Sequence, residues 1–211
     1  VVYVPGVGLD ETKFKCSMTE KQKIGLRKSL GLKEKDFVMI FPAEISAPKR
    51  HKWLINAIKD LLKDNKNFHL LLPGKDSLNG EIHNLVENLN LSNQIHFLGF
   101  RKDVPELLQI ADLSISSSSR EGLPVNIMEA IYSGLPVVAT SCRGNRDLIE
   151  NNKNGFIVDL NDMNGFCEKI LTVSKFNEEE KLSIKKYNKK IIEKYLLKNV
   201  LKEIVDIYIK K

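Results

Sequence analysis

Two glutamates, Glu121 and Glu129, stand eight positions apart in the stretch Ser116-Ser-Ser-Ser-Arg120-Glu121-Gly122-Leu123-Pro124-Val125-Asn126-Ile127-Met128-Glu129-Ala130. Ionised carboxylates accept hydrogen bonds from hydroxyls and steady developing positive charge. The short apolar run Ala111-Asp-Leu-Ser-Ile115 reads as a buried strand. Gly122 permits a tight turn, and Pro124 suits the first turn of a helix, where its missing N–H costs nothing. Val125, Ile127, Met128 and Ile131 then supply an apolar helix face. Glu121 therefore falls in a strand-to-helix loop. Glu129 falls inside the helix by more than one turn, which is about 3.6 residues. Helix N-termini carry unpaired N–H groups and attract anions such as phosphate. Two carboxylates around such a cradle point to a nucleotide-sugar site.

The elements that must position these residues recur along the chain. Thr19 to Leu30 reads as a helix capped by Thr19 and ended by Gly31. Phe37–Phe41 is a continuous apolar strand of the kind buried on both faces. A helix from Trp53 to Lys63 follows, then a strand Phe68–Leu72 stopped by Pro73-Gly74. The alternation continues with a helix Glu81–Leu89, a strand Ile95–Leu98, and a helix Val104–Ile110 capped by Asp103. Next come the strand Leu113–Ser117 and the glutamate-bearing helix. A strand Leu135–Thr140, a short helix Asn145–Ile149 and a strand Gly155–Asp159 follow. A helix capped by Asp162 runs through Leu171. Strands alternating with helices at this pace predict an α/β fold, a doubly wound parallel sheet of about six strands. Ligands of such sheets bind beyond the carboxyl ends of the strands, where these motifs lie. Two charged helices, about 178–195 and 197–210, close the chain. Their Lys-rich faces read first as solvated surface, with a basic membrane-facing patch as the sharper alternative.

Composition narrows the class. The chain has 211 residues, 42% hydrophobic, with a net charge of +6. That excess is mild and favours anionic partners such as nucleotide phosphates or anionic lipid. Basic residues are not interleaved with aromatics, so no nucleic-acid partner is expected. No apolar run reaches the length of about 18 residues that a spanning helix needs. The start, Val1-Val-Tyr-Val-Pro5, does not read as a signal peptide. It also lacks Met, so a piece of something longer is expected. Cys16, Cys142 and Cys167 are odd in number and widely spaced, which fits a reducing cytosol. His51, His69, His83 and His96 lack ligand spacing. There is no DxD, and Asp159-x-Asn161 lacks the glycine and glutamate of a calcium loop. No metal or cofactor is expected.

Glu121 and Glu129 with their flanks resemble the E-x7-E signature of family 4 of the retaining glycosyltransferases of the two-domain GT-B fold. The flanks are Arg120-Glu-Gly-Leu-Pro124 and Glu129-Ala-Ile-Tyr-Ser-Gly134-Leu-Pro136-Val-Val-Ala-Thr140. The resemblance runs from Val1 to about Asp162 and implies the Rossmann-like, C-terminal half of such an enzyme. Residues 1–15 would be the linker from a missing N-terminal acceptor-binding domain. Residues 16–175 would bind the nucleotide sugar, UDP-linked above others, and 176–211 would pack on them as helices. Glu121 would be the catalytic contact to the donor sugar, and Glu129 would hold the ribose. The backbone of Gly122, Leu123, Pro124 and Val125 would face the diphosphate or sugar. Lys49 and Arg50 would grip phosphate, Arg50 standing where Lys is usual. Glu44 departs from the pattern, because many members have a second phosphate-binding Arg there and some polysaccharide-building members have Glu. The plainer reading of Lys49-Arg50-His51-Lys52 is a solvated basic turn. Phe97-Leu-Gly99-Phe100-Arg101 looks like the loop that receives the nucleobase, with Phe97 and Gly99 as donor-binding residues. The plainer reading there is a strand terminator.

Arg143-Gly-Asn-Arg-Asp147 resembles bacterial capsule and exopolysaccharide transferases, and Arg143 would hold phosphate, acceptor or a salt bridge. The resemblance implies transfer of a hexose-type sugar, with retention, to a glycan or lipid-linked acceptor. It also implies a cytoplasmic protein, with peripheral attachment at the inner membrane face as an option. Two alternatives stay open: a sugar-nucleotide epimerase of similar architecture, and a non-catalytic nucleotide-binding or partner-docking module.

Overall fold

A computed structural model of the chain describes residues 6, 8–14 and 17–209. Its strands are β1 (Phe37–Ile40), β2 (Phe68–Pro73), β3 (Ile95–Gly99), β4 (Leu113–Ser116), β5 (Val137–Thr140) and β6 (Gly155–Val158). They form one six-stranded sheet in the order β3-β2-β1-β4-β5-β6, with every neighbouring pair parallel. That order defines a doubly wound, Rossmann-like sheet whose strand order reverses between β1 and β4. The expected α/β class and strand number are both met.

Nine α-helices surround the sheet among the described residues: α1 (Glu20–Ser29), α2 (His51–Asp64), α3 (Glu81–Asn88), α4 (Val104–Ile110), α5 (Val125–Tyr132), α6 (Arg143–Leu148), α7 (Met163–Ser174), α8 (Glu178–Ile192) and α9 (Leu197–Ile209). Successive strand residues point to opposite faces, so each apolar strand feeds two cores. Met39 joins Ile55, Ile82 and Phe166 on the face covered by α2, α3 and α7. Val38 and Ile40 join Leu107, Ile131 and Tyr195 on the other. Such two-sided burial is why these strands read as unbroken apolar runs.

Local chemistry sets the helix ends. Thr19 closes a capping box with Gln22 at the start of α1, and Gly31 follows its end at φ +74°. Asp162 accepts from Gly165 N at 2.8 Å to open α7. Asn177 and Glu180 form a second capping box on α8. Asp103 differs from expectation. It precedes α4, but its carboxylate makes no cap and instead accepts from the Arg101 guanidinium. A charged, bidentate donor outcompetes a single backbone N–H.

The C-terminal helices pack against the body. Buried Asn188 on α8 donates to Leu135 O at 2.8 Å. Leu9 pairs with the bend before α9: Leu9 N donates to Tyr195 O at 2.7 Å, and Leu197 N to Leu9 O at 2.8 Å. Lys185, Lys186, Lys189 and Lys190 on α8 are solvent-exposed. No helix among the described residues is long and apolar enough to cross a membrane. Val1 to Pro5, at the start of the expected linker, and Cys16 lie outside the described residues.

Candidate functional site

The carboxyl ends of β1 and β4 deliver the key loops to the switch point. After β1 the chain turns through a 3-10 turn, Ala47–Lys49, and Arg50 adopts φ 56°. After β4 the serine run clamps that turn. Ser117 Oγ donates to Lys49 O at 2.6 Å, and Ser119 N donates to Pro48 O at 2.9 Å. Thr140 on β5 donates to Ser118 O at 2.6 Å, and buried Asn145 donates to Thr140 O at 2.8 Å. Backbone carbonyls that would be orphaned beyond the strands are thus satisfied by small hydroxyl and amide side chains. In the sequence these serines read only as the end of a strand. Their signal was a polar run directly after a buried strand.

This clamp brings Lys49 to Glu121. Lys49 Nζ donates to Glu121 Oε1 at 2.5 Å, with the two side chains 24% and 11% exposed. Glu121 is also held through its backbone, because Gly144 N donates to Glu121 O at 3.2 Å. A Cβ on Gly144 would lie 2.5 Å from Gly122 O and 2.8 Å from Pro124 Cδ. Only glycine lets α6 approach the loop so closely. Pro124 occupies the cap position of α5, one residue earlier than expected, and Val125 opens the helix with an exposed side chain. Leu123 packs into the second core cluster.

Arg50 does not join Lys49. Its guanidinium donates to Leu160 O at 2.7 Å and Asn161 Oδ1 at 3.0 Å, and lies 4.8 Å over the Trp53 ring. The left-handed backbone at Arg50 turns consecutive side chains apart, so the expected basic pair splits between two loops. Arg143 is exposed and forms no ion pair among the described residues, while Arg146 reaches Ser141 Oγ at 3.4 Å.

Beside this loop, a cleft of about 460 Å³ opens between the ends of β1, β2 and β3 and the flank of α5. Glu44, Gly74, Lys75, Phe100, Arg101 and Glu129 line it. Burial pushes the Glu129 carboxyl up from its ordinary pKa, and nearby Lys13 opposes that shift. No hydrogen-bond donor reaches this carboxylate among the described residues, so its acceptor capacity faces the cleft unused. Phe97 does not line the cleft. It stacks on His83, ring centroids 3.7 Å apart, against the first core cluster. Phe100, beyond the strand and 65% exposed, takes the place at the cleft that Phe97 was expected to hold. Gly99, at φ +63°, turns the chain there, and Gly99 O accepts from Gly74 N at 2.8 Å.

Two of the histidines stand apart. His69 Nδ1 lies 3.0 Å from His96 Nε2, and His69 Nε2 lies 3.3 Å from Asp36, all at the opposite end of the sheet. Burial lowers the His96 pKa to about 4, with neighbouring His69 adding to the effect. No group of three or more metal-capable side chains gathers among the described residues.

A parallel sheet of this order, with a helix N-terminus, a lysine and two glutamates gathered at its carboxyl end, defines a Rossmann-like α/β domain. The profile of the family described as glycosyl transferases group 1 matches residues 22–191, and the chain belongs to that family. A Campylobacter jejuni N,N'-diacetylbacillosaminyl-diphospho-undecaprenol alpha-1,3-N-acetylgalactosaminyltransferase is 32% identical over 187 residues, 87% of this chain and 47% of that protein. An Escherichia coli UDP-Gal:alpha-D-GlcNAc-diphosphoundecaprenol alpha-1,3-galactosyltransferase is 28% identical over 210 residues, 96% of this chain and 52% of that one. Anabaena Alr3699/HepE, solved in complex with UDP-glucose, superposes with a TM-score of 0.84 at 26% identity, over 97% of this chain and 56% of that one. The chain thus spans about half the length of the curated relatives it matches. Its architecture is that of the GT-B glycosyltransferases.

Proposed function

We propose that this chain is the donor-binding half of a retaining glycosyltransferase. It takes a nucleoside diphosphate sugar, UDP-linked above others, and serves transfer of the sugar to a glycan or lipid-linked acceptor. The observation that carries this reading is the unused, desolvated Glu129 carboxylate facing a cleft one helical turn below the N-terminus of α5. A ribose diol supplies the two hydroxyl donors such a group lacks. UDP-sugar names among the relatives support the same class. Lys49 and the N-terminus of α5 neutralise the diphosphate, so binding needs no divalent ion. Lys49 would exchange Glu121 for phosphate when the donor enters, freeing Glu121 to steady the positive charge that builds on the sugar as its bond to phosphate breaks. Backbone groups of Gly99 and Phe100 would meet the base. Arg50, with its carbonyl partners, would brace the loop between Lys49 and α2 rather than grip phosphate. An acceptor-binding domain, and any peripheral membrane contact, would come from the whole protein.

Calorimetry with UDP in EDTA tests the reading. The chain should bind UDP, and Glu129→Ala should lose about 1–3 kcal/mol of that affinity, the cost of leaving donors unpaired. Glu121→Gln should leave UDP binding nearly intact but cut turnover in the two-domain enzyme far more than donor affinity. A chain that binds no nucleotide, or binds it only with manganese, would sink the proposal.

A further inference from the structure

Past the cleft, the carboxyl edge of the sheet carries a second group of charges. In strand order the edge runs from the cleft at β3, β2 and β1, through Glu121 after β4, to α6 after β5. Arg120 stands next to Glu121. Gly144 N donates to Glu121 O at 3.2 Å, so Arg143, the residue before it, opens α6 beside the same loop. Arg146 follows three positions later, which makes the two arginines neighbours on the helix surface. All three are exposed, and none forms an ion pair among the described residues. Arg146 reaches only Ser141 Oγ, at 3.4 Å. Other cations of this edge are spent. Lys49 holds Glu121, Lys52 holds Glu81, Arg101 holds Asp103, and Arg50 holds the Leu160 carbonyl. Asp147, the carboxylate on α6, is exposed and makes no salt bridge with either arginine. Glu150 beyond it is taken by Lys153 and Tyr187.

We infer that Arg120, Arg143 and Arg146 hold a phosphate group of the acceptor, which makes the acceptor a sugar phosphate or sugar diphosphate, free or lipid-borne. The inference rests on the donor-binding reading above and names the acceptor class for that same site. A guanidinium presents parallel N–H donors that match phosphate oxygens. An anion between Arg143 and Arg146 also relieves the repulsion of like charges held three positions apart on one helix. Charge separates this phosphate from the donor's. The donor diphosphate already has Lys49 and about half a positive charge from the N-terminus of α5, and three further guanidiniums exceed what it carries. Position fits the acceptor. Under the donor-binding reading the sugar to be transferred lies at Glu121, and the attacking hydroxyl must come to it. A sugar joined to phosphate keeps its anion one ring away from its hydroxyls, which brings that anion beside the Glu121 loop, where the arginines stand. A long uncharged glycan brings no anion there.

Calorimetry of the chain saturated with UDP, then titrated with inorganic pyrophosphate, tests this, because UDP fills the donor subsite first. Pyrophosphate should still bind. The double variant Arg143→Ala/Arg146→Ala should weaken it at least about tenfold while moving UDP affinity less than about twofold. The side chains are exposed, so the melting temperature should hold as the folding control. N-acetylglucosamine 1-phosphate, and the same sugar as its farnesyl diphosphate in detergent, separate the two sources. Both should lose affinity in the variant, and tighter wild-type binding of the tailed form would mark the acceptor as lipid-borne. Pyrophosphate that binds only by displacing UDP, or equal losses for UDP and pyrophosphate, would put the arginines on the donor and overturn the inference. Arginine-dependent binding to phosphatidylglycerol vesicles without binding of either sugar phosphate would give them to a membrane surface and overturn it too. If the chain binds UDP but not pyrophosphate, only this inference fails. If it binds no UDP, the donor-binding reading falls first.

Discussion

The two ends of the sheet treat polar groups in opposite ways. At the amino ends of the strands, most polar side chains spend their capacity on the fold, with Asn188 Oδ1 beside Leu135 an exception among the described residues. Arg27 donates to the carbonyls of Ile110 at 2.7 Å, Glu34 at 3.0 Å and Asp36 at 3.0 Å, and to Asp112 Oδ2 at 3.0 Å. Gln94 Nε2 serves three carbonyls, of Leu62, Asn65 and Phe68, at 2.8–3.0 Å. His69, His96 and Asp36 bond one another. At the carboxyl ends, among the described residues, Glu129 has no donor, Glu44 keeps one oxygen free and Lys75 has no counter-charge. The first end is built to be closed and the second to be completed by something else. Satisfied polar groups specify a fold, whereas unsatisfied ones in a cleft mark where a ligand is owed.

That contrast can be broken by experiment, and the largest effect should come from the closed end. Arg27→Ala should destabilise the chain by about 3 kcal/mol, because it strips donors from several carbonyls and leaves Asp112 uncompensated. UDP affinity of the remaining folded protein should not move. Urea unfolding with calorimetry on one sample decides it, and a parallel loss of UDP affinity would mean the two ends are not independent.

Next in size is Lys49→Ala, at the open end. It should weaken UDP binding by about 1.5–3 kcal/mol, the range for hydrogen bonds to charged groups. Uridine binding should change little, since uridine has no phosphate. Equal losses for both ligands would place Lys49 with the fold rather than the ligand.

The last test is a titration. His96 titrates near pH 4 in the folded chain, against 6.5 for an unperturbed histidine. Burial also lowers His69, with Asp36 opposing. A depressed histidine pKa means the unfolded chain binds the proton first. Stability is then complete above about pH 6.5 and falls as the pH drops toward 4, by up to roughly 1.4 kcal/mol per unit for each such group. Melting temperatures of wild type and His96→Gln across that window should converge as the pH falls. Parallel curves would mean that His96 carries no proton linkage.

Much of this architecture was legible in the letters. Apolar runs of strand length between amphipathic helices gave the doubly wound sheet. Thr19 with Gln22, Asp162 and Gly31 marked real helix ends, because capping is a local event within a few residues. What escaped the sequence was direction. Arg50 was expected beside Lys49, but a single left-handed residue turned it toward Leu160 and Trp53. Phe97 was expected at the cleft, but β3 faces it toward His83, and the register slips between Leu72 and Pro73, where Leu72 pairs with Phe97 and Pro73 with Gly99. The hydroxyl clamp of Ser117, Ser119 and Thr140 was invisible because its partners lie 22 to 71 positions away along the chain. The absence of a cap at Asp103 came from competition with Arg101, which propensity does not weigh.

Gly144 carries no charge, no hydroxyl and no ring, yet it behaves as a spacer ground to zero thickness. The helix that holds it rests against the Glu121 loop with no clearance for even a methyl group. Any thicker residue would act as a shim and push Glu121 and the start of α5 outward together. The Glu121 loop therefore inherits its placement from the back, from a part with no reactivity to inspect. A search for the determinants of activity that scored only reactive side chains would pass over the component that sets the working gap.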